Sequence, residues 1–167
     1  HLQILINDFL RLPYLKLKDI HKFSGENFAS GDNSKHLRAA MEWLCYAQEI
    51  NADGGVAAAY SFHKGWEASY PETTGYIIPT FFNYYYFTTQ EEYRERAIKM
   101  ADWLVAIQLH NGAFQGYSVA HSPVPRVFNT GQIMLGLIRT YREVGDKKYI
   151  ESAKKAGNWL VSIQDQD

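Results

Sequence analysis

Cysteine, net charge and long apolar runs are all scarce in this sequence of 167 residues, and each shortage excludes a class of protein. The single cysteine, Cys45, excludes an internal disulfide framework and fits a reducing compartment such as the cytoplasm. A net charge of −1 with the two signs interspersed predicts neither a nucleic-acid partner nor binding to an anionic membrane. No stretch approaches the roughly 20 apolar residues of a membrane span.

The N-terminal residues 1–8 also lack the features of a secretion signal, because they carry an acid and no basic region. A chain from which a leader had been removed would look the same. What the sequence does hold is apolar and aromatic material: 46% of its residues are hydrophobic and 15% are aromatic. This content suits one domain with a packed core.

An internal repeat is the strongest pattern in the chain. At an offset of 56 residues the matching pairs are Thr74 and Thr130, Gly75 and Gly131, Tyr93 and Tyr149, Ala97 and Ala153, Trp103 and Trp159, and Gln108 and Gln164. A third copy lies 60 residues upstream, with Trp43, Leu44 and Gln48. Periods of this length are typical of repeat architectures.

The repeat predicts an all-α fold of antiparallel helical hairpins, whose helices are joined by short turns at Thr88-Thr89 and Gly145-Asp146. We expect a helix and irregular lead-in over residues 1–35, an outer helix over 36–50, and hairpins over 74–108 and 130–164. The second helices of the hairpins are amphipathic, whereas residues 76–88 carry no charge at all, which predicts an inner helix buried on every side.

The inner helices have candidate start signals. Good N-cap residues are available at Thr73 or Thr74 and at Asn129 or Thr130. Pro79 would kink a helix that starts at Thr74. Alternatively, the regular helix starts near Ile78, with Pro79 at its first position.

The outer-helix ends carry a more specific signature: a basic and a small residue, an aromatic-aliphatic pair, a glutamine, and then glycine. Its instances start at Arg38, Met100 and Lys155, the second with Met in the basic position. The signature resembles the glutamine-tryptophan repeat of the squalene-cyclase and prenyltransferase α/α toroids. That resemblance implies a toroid over residues 36–167, in which the Trp and Gln residues have structural roles.

The chemistry of those families is not implied. The sequence has no aspartate run of the kind with which squalene cyclases protonate, and Cys45 has no partners for a prenyltransferase zinc site. No pair of His or acidic residues has ligand spacing on one helix, so we expect no metal site and no cofactor.

Two long loops, about 51–73 and 109–129, precede the inner helices and form the expected site face. Their candidate residues are His63, Trp66, Tyr70, Glu72, His121 and Arg126. Flat aromatics stack on sugars, carboxylates and His transfer protons, and Arg binds carboxylates. Residues 66–74 and the tyrosine run that begins at Tyr84 resemble the C-terminal helical domain of glucuronyl C5-epimerases, which implies a uronic acid substrate.

These observations lead to a carbohydrate-active module, an epimerase, lyase or glycosidase on uronate-containing polysaccharide. The expected catalytic residues are Glu72, His63 and Tyr84, and the expected substrate-binding residues are Trp66, Tyr70, Arg126 and His121. The alternatives are a non-catalytic toroid that binds a glycan or a protein, and a terpenoid-handling enzyme without the usual acids.

The repeat also predicts an incomplete ring, because the third copy stops at Asp167, where a glycine is due. We therefore expect either a homo-oligomer that forms through the open edges or a missing remainder of the same chain.

Overall fold

The computed structural model describes residues 33–164, and over this range the fold is all-α. It contains the helices α1 (Asn33–Glu49), α2 (Pro71–Thr88), α3 (Glu91–Ile107), α4 (Val127–Val144) and α5 (Lys147–Ser162). A small antiparallel hairpin, β1 (Tyr60–Ser61) and β2 (Gly65–Trp66), lies in the loop between α1 and α2. Most of the expected N-terminal lead-in falls on residues 1–32, outside the described part of the chain.

Helix α2 packs against both α3 and α4, and α4 packs against α5. The turns after α2 and α4 are short, as the sequence predicted, and each helix ends with a left-handed residue, Thr89 or Gly145. The core lies between these helices, where Phe81, Leu104 and Leu137 are completely buried. A two-residue turn forces its helices to run antiparallel, so α2–α3 and α4–α5 are helical hairpins.

The predicted N-cap of α2 at Thr73 or Thr74 is wrong. The helix begins at Pro71, and its cap residue is Tyr70, whose side chain makes no capping hydrogen bond. Proline suits the first helical position, because its missing N–H has no partner there in any helix and its φ is already helical. Thr74 instead uses its hydroxyl to accept a hydrogen bond from the backbone N–H of Val56, at 2.9 Å, and ties the preceding loop to the helix.

The predicted cap of α4 at Asn129 or Thr130 is wrong in the same way. This helix begins at Val127, and its cap residue is Arg126, again without a side-chain cap. The Thr130 hydroxyl accepts from the N–H of Phe114 at 3.0 Å. At the start of each of these helices, a fully buried threonine therefore accepts a hydrogen bond from a loop N–H. Its hydroxyl is used in this way and does not cap the helix.

Pro79 lies in the interior of α2, so the alternative start near Ile78 is also wrong, and α2 continues through the proline. Because proline has no N–H, the carbonyl of Gly75, four residues earlier, lacks its usual helical donor. Gly136 of α4 faces this carbonyl so closely that a Cβ on Gly136 would lie 2.3 Å from the oxygen. Helices α2 and α4 therefore make close backbone contact where each carries a glycine.

The prediction that the uncharged helix is buried on every side is wrong. One side of α2 is open, and Tyr76, Tyr86 and Phe87 are 43%, 61% and 68% exposed. Absence of charge does not require burial, because tyrosine hydroxyls, together with Asn83 and Thr80, keep such a face hydrated.

Two of the three repeat glutamines make corresponding hydrogen bonds. The Gln48 amide donates to the carbonyl oxygens of Gly54 and Arg96. The Gln108 amide donates to those of Gly112 and Ser152. These carbonyls belong to the following loop and to a neighbouring helix, and not to the end of the glutamine's own helix.

The ionisation of Tyr149 should lower the stability of the protein at alkaline pH. Tyr149 is buried, and its hydroxyl donates to Asp102 at 2.6 Å. Burial, aided by Asp102, raises its pKa from 10.0 to about 12. The folded state thus keeps a proton that the unfolded chain releases, so this contribution is complete below pH 10 and is lost as the pH rises towards 12. We expect Tyr149→Phe to remove this loss and to lower the free energy of unfolding by about 1.5–3 kcal/mol at neutral pH. Urea melts from neutral to alkaline pH measure both effects, and an unchanged alkaline loss in the variant would contradict the assignment.

Candidate functional site

The two long loops lie together on one face of the molecule, which we call the loop face (residues 50–70 and 108–126, with the last turns of α1 and the first turns of α2 and α4). The N–H of Val119 in the second loop donates to the carbonyl of Ser69 in the first, at 2.9 Å. The first loop is also braced internally, since the Ser69 hydroxyl donates to Asp53 and accepts from Asn51. The loop face is therefore a connected, hydrogen-bonded surface.

A polar cluster forms where α2 and α4 begin. The side-chain amide of Asn129 donates to the Glu72 carboxylate at 2.8 Å and approaches the Tyr70 hydroxyl oxygen at 3.4 Å. Asn129 is buried, and Glu72 and Tyr70 are half-buried. Within residues 33–164, Asn129 is the side chain that hydrogen-bonds the Glu72 carboxylate.

Arg126 belongs to a second group of side chains on the same face. Its guanidinium lies 6.0 Å from the ring centre of Tyr117, which in turn lies 5.7 Å from that of His121. His121 is oriented by Ser118, whose hydroxyl lies 3.0 Å from the imidazole Nδ1. Arg126 is exposed and forms no ion pair within the described range 33–164, which leaves its fork of donors open to an anion.

The β-hairpin carries Trp66 and His63 in different settings. Trp66 lies in β2 among three other aromatic rings, with centroid distances of 4.9 Å to Trp43, 5.5 Å to Tyr46 and 5.3 Å to Tyr60. His63 lies in the turn between the strands and is exposed. Trp66 is thus packed among aromatic rings, whereas His63 is exposed at the turn of the hairpin.

Trp66 forms one wall of a depression that we call the aromatic groove, of about 200 Å³. It is lined by the aromatic residues Trp43, Tyr60, Trp66 and Tyr76 and by small residues that include Ala57–Ala59. None of the residues that line it is charged. The groove lies between α1, the hairpin and the first turns of α2, so it belongs to the loop face.

Tyr84 lies apart from all of these groups. It is near the C-terminal end of α2, only 8% exposed, with its ring 4.5 Å from that of Tyr93 in an edge-on contact. Twelve residues separate it from Glu72 on one helix, which corresponds to about 18 Å along the axis. The structure therefore places Tyr84 in the core between α2 and α3, away from the loop face.

The structure brings some of the expected site residues together and leaves others separate. Tyr70 joins Glu72, and His121 joins Arg126 through Tyr117. No hydrogen bond or ion pair links any two of His63, Glu72 and Arg126 within residues 33–164.

Two residues of this face were not predicted as site residues: Trp43 and Asn129. Asn129 was interpreted as a helix cap, and Trp43 was given a structural role in the repeat. The sequence offers one signal for Asn129, because a polar residue, Thr73, occupies the matching position in the other copy of the repeat.

Two features of the described residues bear on the class of site. No group of three or more His, Cys, Asp or Glu side chains in this part of the chain could hold a metal ion. None of its helices is both long and apolar enough to span a bilayer.

No family model, no curated protein and no solved structure matches this chain.

Proposed function

We propose that this chain is a carbohydrate-active module built on part of an α/α toroid, with its site on the loop face. The observation that carries the proposal is the half-buried Glu72 carboxylate, which is held by Asn129 beside the Tyr70 hydroxyl, on the same face as an uncharged aromatic groove. Sugar sites combine these elements: flat rings for stacking and a few fixed polar groups for orientation and proton transfer.

Recurring contacts support the toroid. Gln48 links α1 to α3 through the Arg96 carbonyl, and Gln108 links α3 to α5 through the Ser152 carbonyl. The hydroxyls of Thr74 and Thr130 likewise each accept a hydrogen bond from a backbone N–H in the preceding loop. Because the same contacts return in successive hairpins, each hairpin takes a similar position against the previous one, which generates a curved array. In that array α1, α3 and α5 are outer helices, and α2 and α4 are inner helices.

In the proposed site, Glu72 transfers a proton to or from the sugar. Asn129 fixes the orientation of this carboxylate, and Tyr70 adds a hydroxyl next to it. Arg126, without a carboxylate partner among residues 33–164, binds the carboxylate of an acidic sugar. A uronate-containing polysaccharide is therefore the proposed substrate class, and epimerisation, elimination and hydrolysis are the reactions that such groups can perform.

A non-catalytic glycan-binding module is the second candidate, and one observation favours it. His63, one of the expected catalytic residues, is exposed in the hairpin turn, and within residues 33–164 no hydrogen bond joins it to Glu72. Acid–base chemistry on a sugar commonly needs two groups, whereas binding needs only the stacking surface and a few hydrogen bonds.

We expect Glu72→Gln to lower the turnover of a uronate polymer by about 10²–10⁴-fold, because it removes the proton-transfer group while preserving its hydrogen-bonding shape. The protein would be incubated in D₂O with alginate, polygalacturonate and heparosan. Deuterium incorporation, unsaturated ends and reducing ends would report the three reactions.

Glu67→Gln is the matched control, since Glu67 is an exposed acid of the same loop. Its turnover should remain within about twofold of the unsubstituted protein. Equal losses in both variants would contradict the role of Glu72. Binding of a polymer without any of the three reactions would reject catalysis and support the second candidate.

A further inference from the structure

We infer that the aromatic groove is a separate subsite for one neutral sugar ring, distinct from the polar cluster at Glu72. The inference rests on the proposed function in one respect, that the ligand of the loop face is a carbohydrate. The groove is then a second contact region for the ligand, Trp43 and Tyr76 belong to it, and the sugar ring bound there carries no charge.

The first reason is the exposure of Trp43. In the sequence repeat Trp43 corresponds to Trp103, which is 8% exposed and lies against Gly55 so closely that a Cβ on this glycine would be 2.6 Å from the indole. Trp43, in contrast, is 53% exposed. The same repeat position therefore serves as a core anchor in one copy and as a surface residue in the other. A large aromatic surface left open to water beside other open aromatics is typical of a binding site.

The second reason is the way in which the rings are fixed. The Trp43 and Trp66 ring planes meet at 41° with centroids 4.9 Å apart, so the two side chains pack directly against each other. Tyr60 is paired with Trp66 in the β-hairpin register, and its ring lies against Trp66 at 62°. Ring–ring contacts hold these side chains before any ligand arrives, so little conformational entropy is lost when one binds.

The floor of the groove is equally fixed and is lined by small side chains. The N–H of Ala57 donates to the carbonyl of Ala47 in α1, and that of Ala58 donates to the carbonyl of Ala68. Alanine side chains at 57–59 leave space above this backbone. The depression therefore persists as a preformed cavity.

The third reason is chemical complementarity. The groove contains no charged side chain, but three residues that line it, Tyr60, Tyr76 and Thr73, have side chains with hydroxyl groups. A pyranose ring offers an apolar face to the indoles and hydroxyls to these polar groups. A purely aliphatic ligand would cover the hydroxyls without replacing their hydrogen bonds to water, which is unfavourable. The volume of about 200 Å³ is below the range of about 300–1,000 Å³ for larger ligands, which fits a single ring.

The test is a titration of the whole chain with cellohexaose, maltohexaose and xylohexaose, followed by tryptophan emission and by calorimetry. We expect at least one of these neutral oligosaccharides to bind and to shift the emission to shorter wavelength. Trp43→Ala should weaken that binding by about tenfold or more, and Trp43→Phe by less, because phenylalanine retains part of the stacking surface.

Phe87→Ala is the control, because Phe87 is 68% exposed but lies at the opposite end of α2 from the groove. Its affinity should remain within about twofold of the unsubstituted protein. The inference is overturned if no neutral oligosaccharide binds, if Trp43→Ala binds normally, or if 1-decanol binds in the groove in place of any sugar.

Two further measurements distinguish an open sugar subsite from a covered groove and from the site at Glu72. If Trp43→Ala does not lower the acrylamide quenching of tryptophan emission in the free protein, the groove is already covered by the chain itself, and the inference fails. Glu72→Gln should leave neutral binding unchanged. Loss of neutral binding in Trp43→Ala, together with normal uronate turnover in Glu72→Gln, would therefore retain the subsite and reject the proposed catalytic role.

Discussion

Gly136→Ala should destabilise the protein by about 3 kcal/mol or more, because α2 and α4 have no space for a methyl group where they meet. An added Cβ would lie 2.3 Å from the Gly75 carbonyl oxygen and 2.9 Å from the Ile78 side chain. The Ile78 side chain can change rotamer, but the carbonyl belongs to a helix backbone and cannot yield without moving α2. The two helices must separate, and the fully buried side chains between them, such as Ile133, lose contacts.

The same helix supplies a matched control for this prediction. At Gly131 an added Cβ meets no atom within 4 Å, so only the intrinsic preference of the helix operates. Gly131→Ala should stabilise the protein by about 0.5–1 kcal/mol, since glycine loses more backbone entropy than alanine on folding. Urea denaturation of both variants measures the difference. Equal stabilities would show that α2 and α4 are not in backbone contact at Gly136.

Trp103→Ala should lower the free energy of unfolding by about 3–5 kcal/mol, as expected for a buried aromatic side chain. Its indole belongs to the core of α3 and covers Gly55 in the first long loop, where no side chain larger than hydrogen fits. Truncation would leave a cavity between the helix and a backbone that is hydrogen-bonded to Asp53 and cannot collapse freely into it. The protein that still folds should keep its ligand affinity, because Trp103 lines neither the polar cluster nor the aromatic groove.

Trp159→Ala is the natural comparison for Trp103→Ala. The two residues match in the repeat, but Trp159 is only half-buried, on an open groove beside His110 and Lys155. Its replacement should therefore cost less stability than that of Trp103. Thermal melts of both variants test the ranking. A Trp103→Ala melt within about one degree of the unsubstituted protein would mean that Trp103 is not a core anchor.

The turns and helices of the two hairpins were predictable from the sequence, whereas the first residues of α2 and α4 were not. The short turns after Thr88 and Val144 and the amphipathic α3 and α5 follow from patterns within a few residues, and they were predicted. The starts of α2 and α4 were missed, because Thr74 and Thr130 have the features of caps yet serve as acceptors for loop N–H groups 16 to 18 residues away. Local propensity could not identify which donor each hydroxyl would meet.

The site was only partly accessible for the same reason. The choice of the loop face and of Glu72, Tyr70, Trp66 and Arg126 came from residue types in long loops. The partners of these residues could not be predicted in this way, because they are distant in the sequence. Asn129 is 57 residues from Glu72, and Trp43 precedes Trp66 by 23 residues. Tyr84 was grouped with the site because of its chemistry, yet its position on α2 turns it towards Tyr93.

The sequence by itself determined the all-α class and the hairpin pairing of α2 with α3 and of α4 with α5, since helical periodicity and turn length are properties of adjacent residues. The tertiary structure alone decided which of the matching tryptophans is buried, which side of α2 stays open, and which amide holds the Glu72 carboxylate. Burial and hydrogen bonding depend on the groups that the packed helices and loops bring close, and these come from distant parts of the chain.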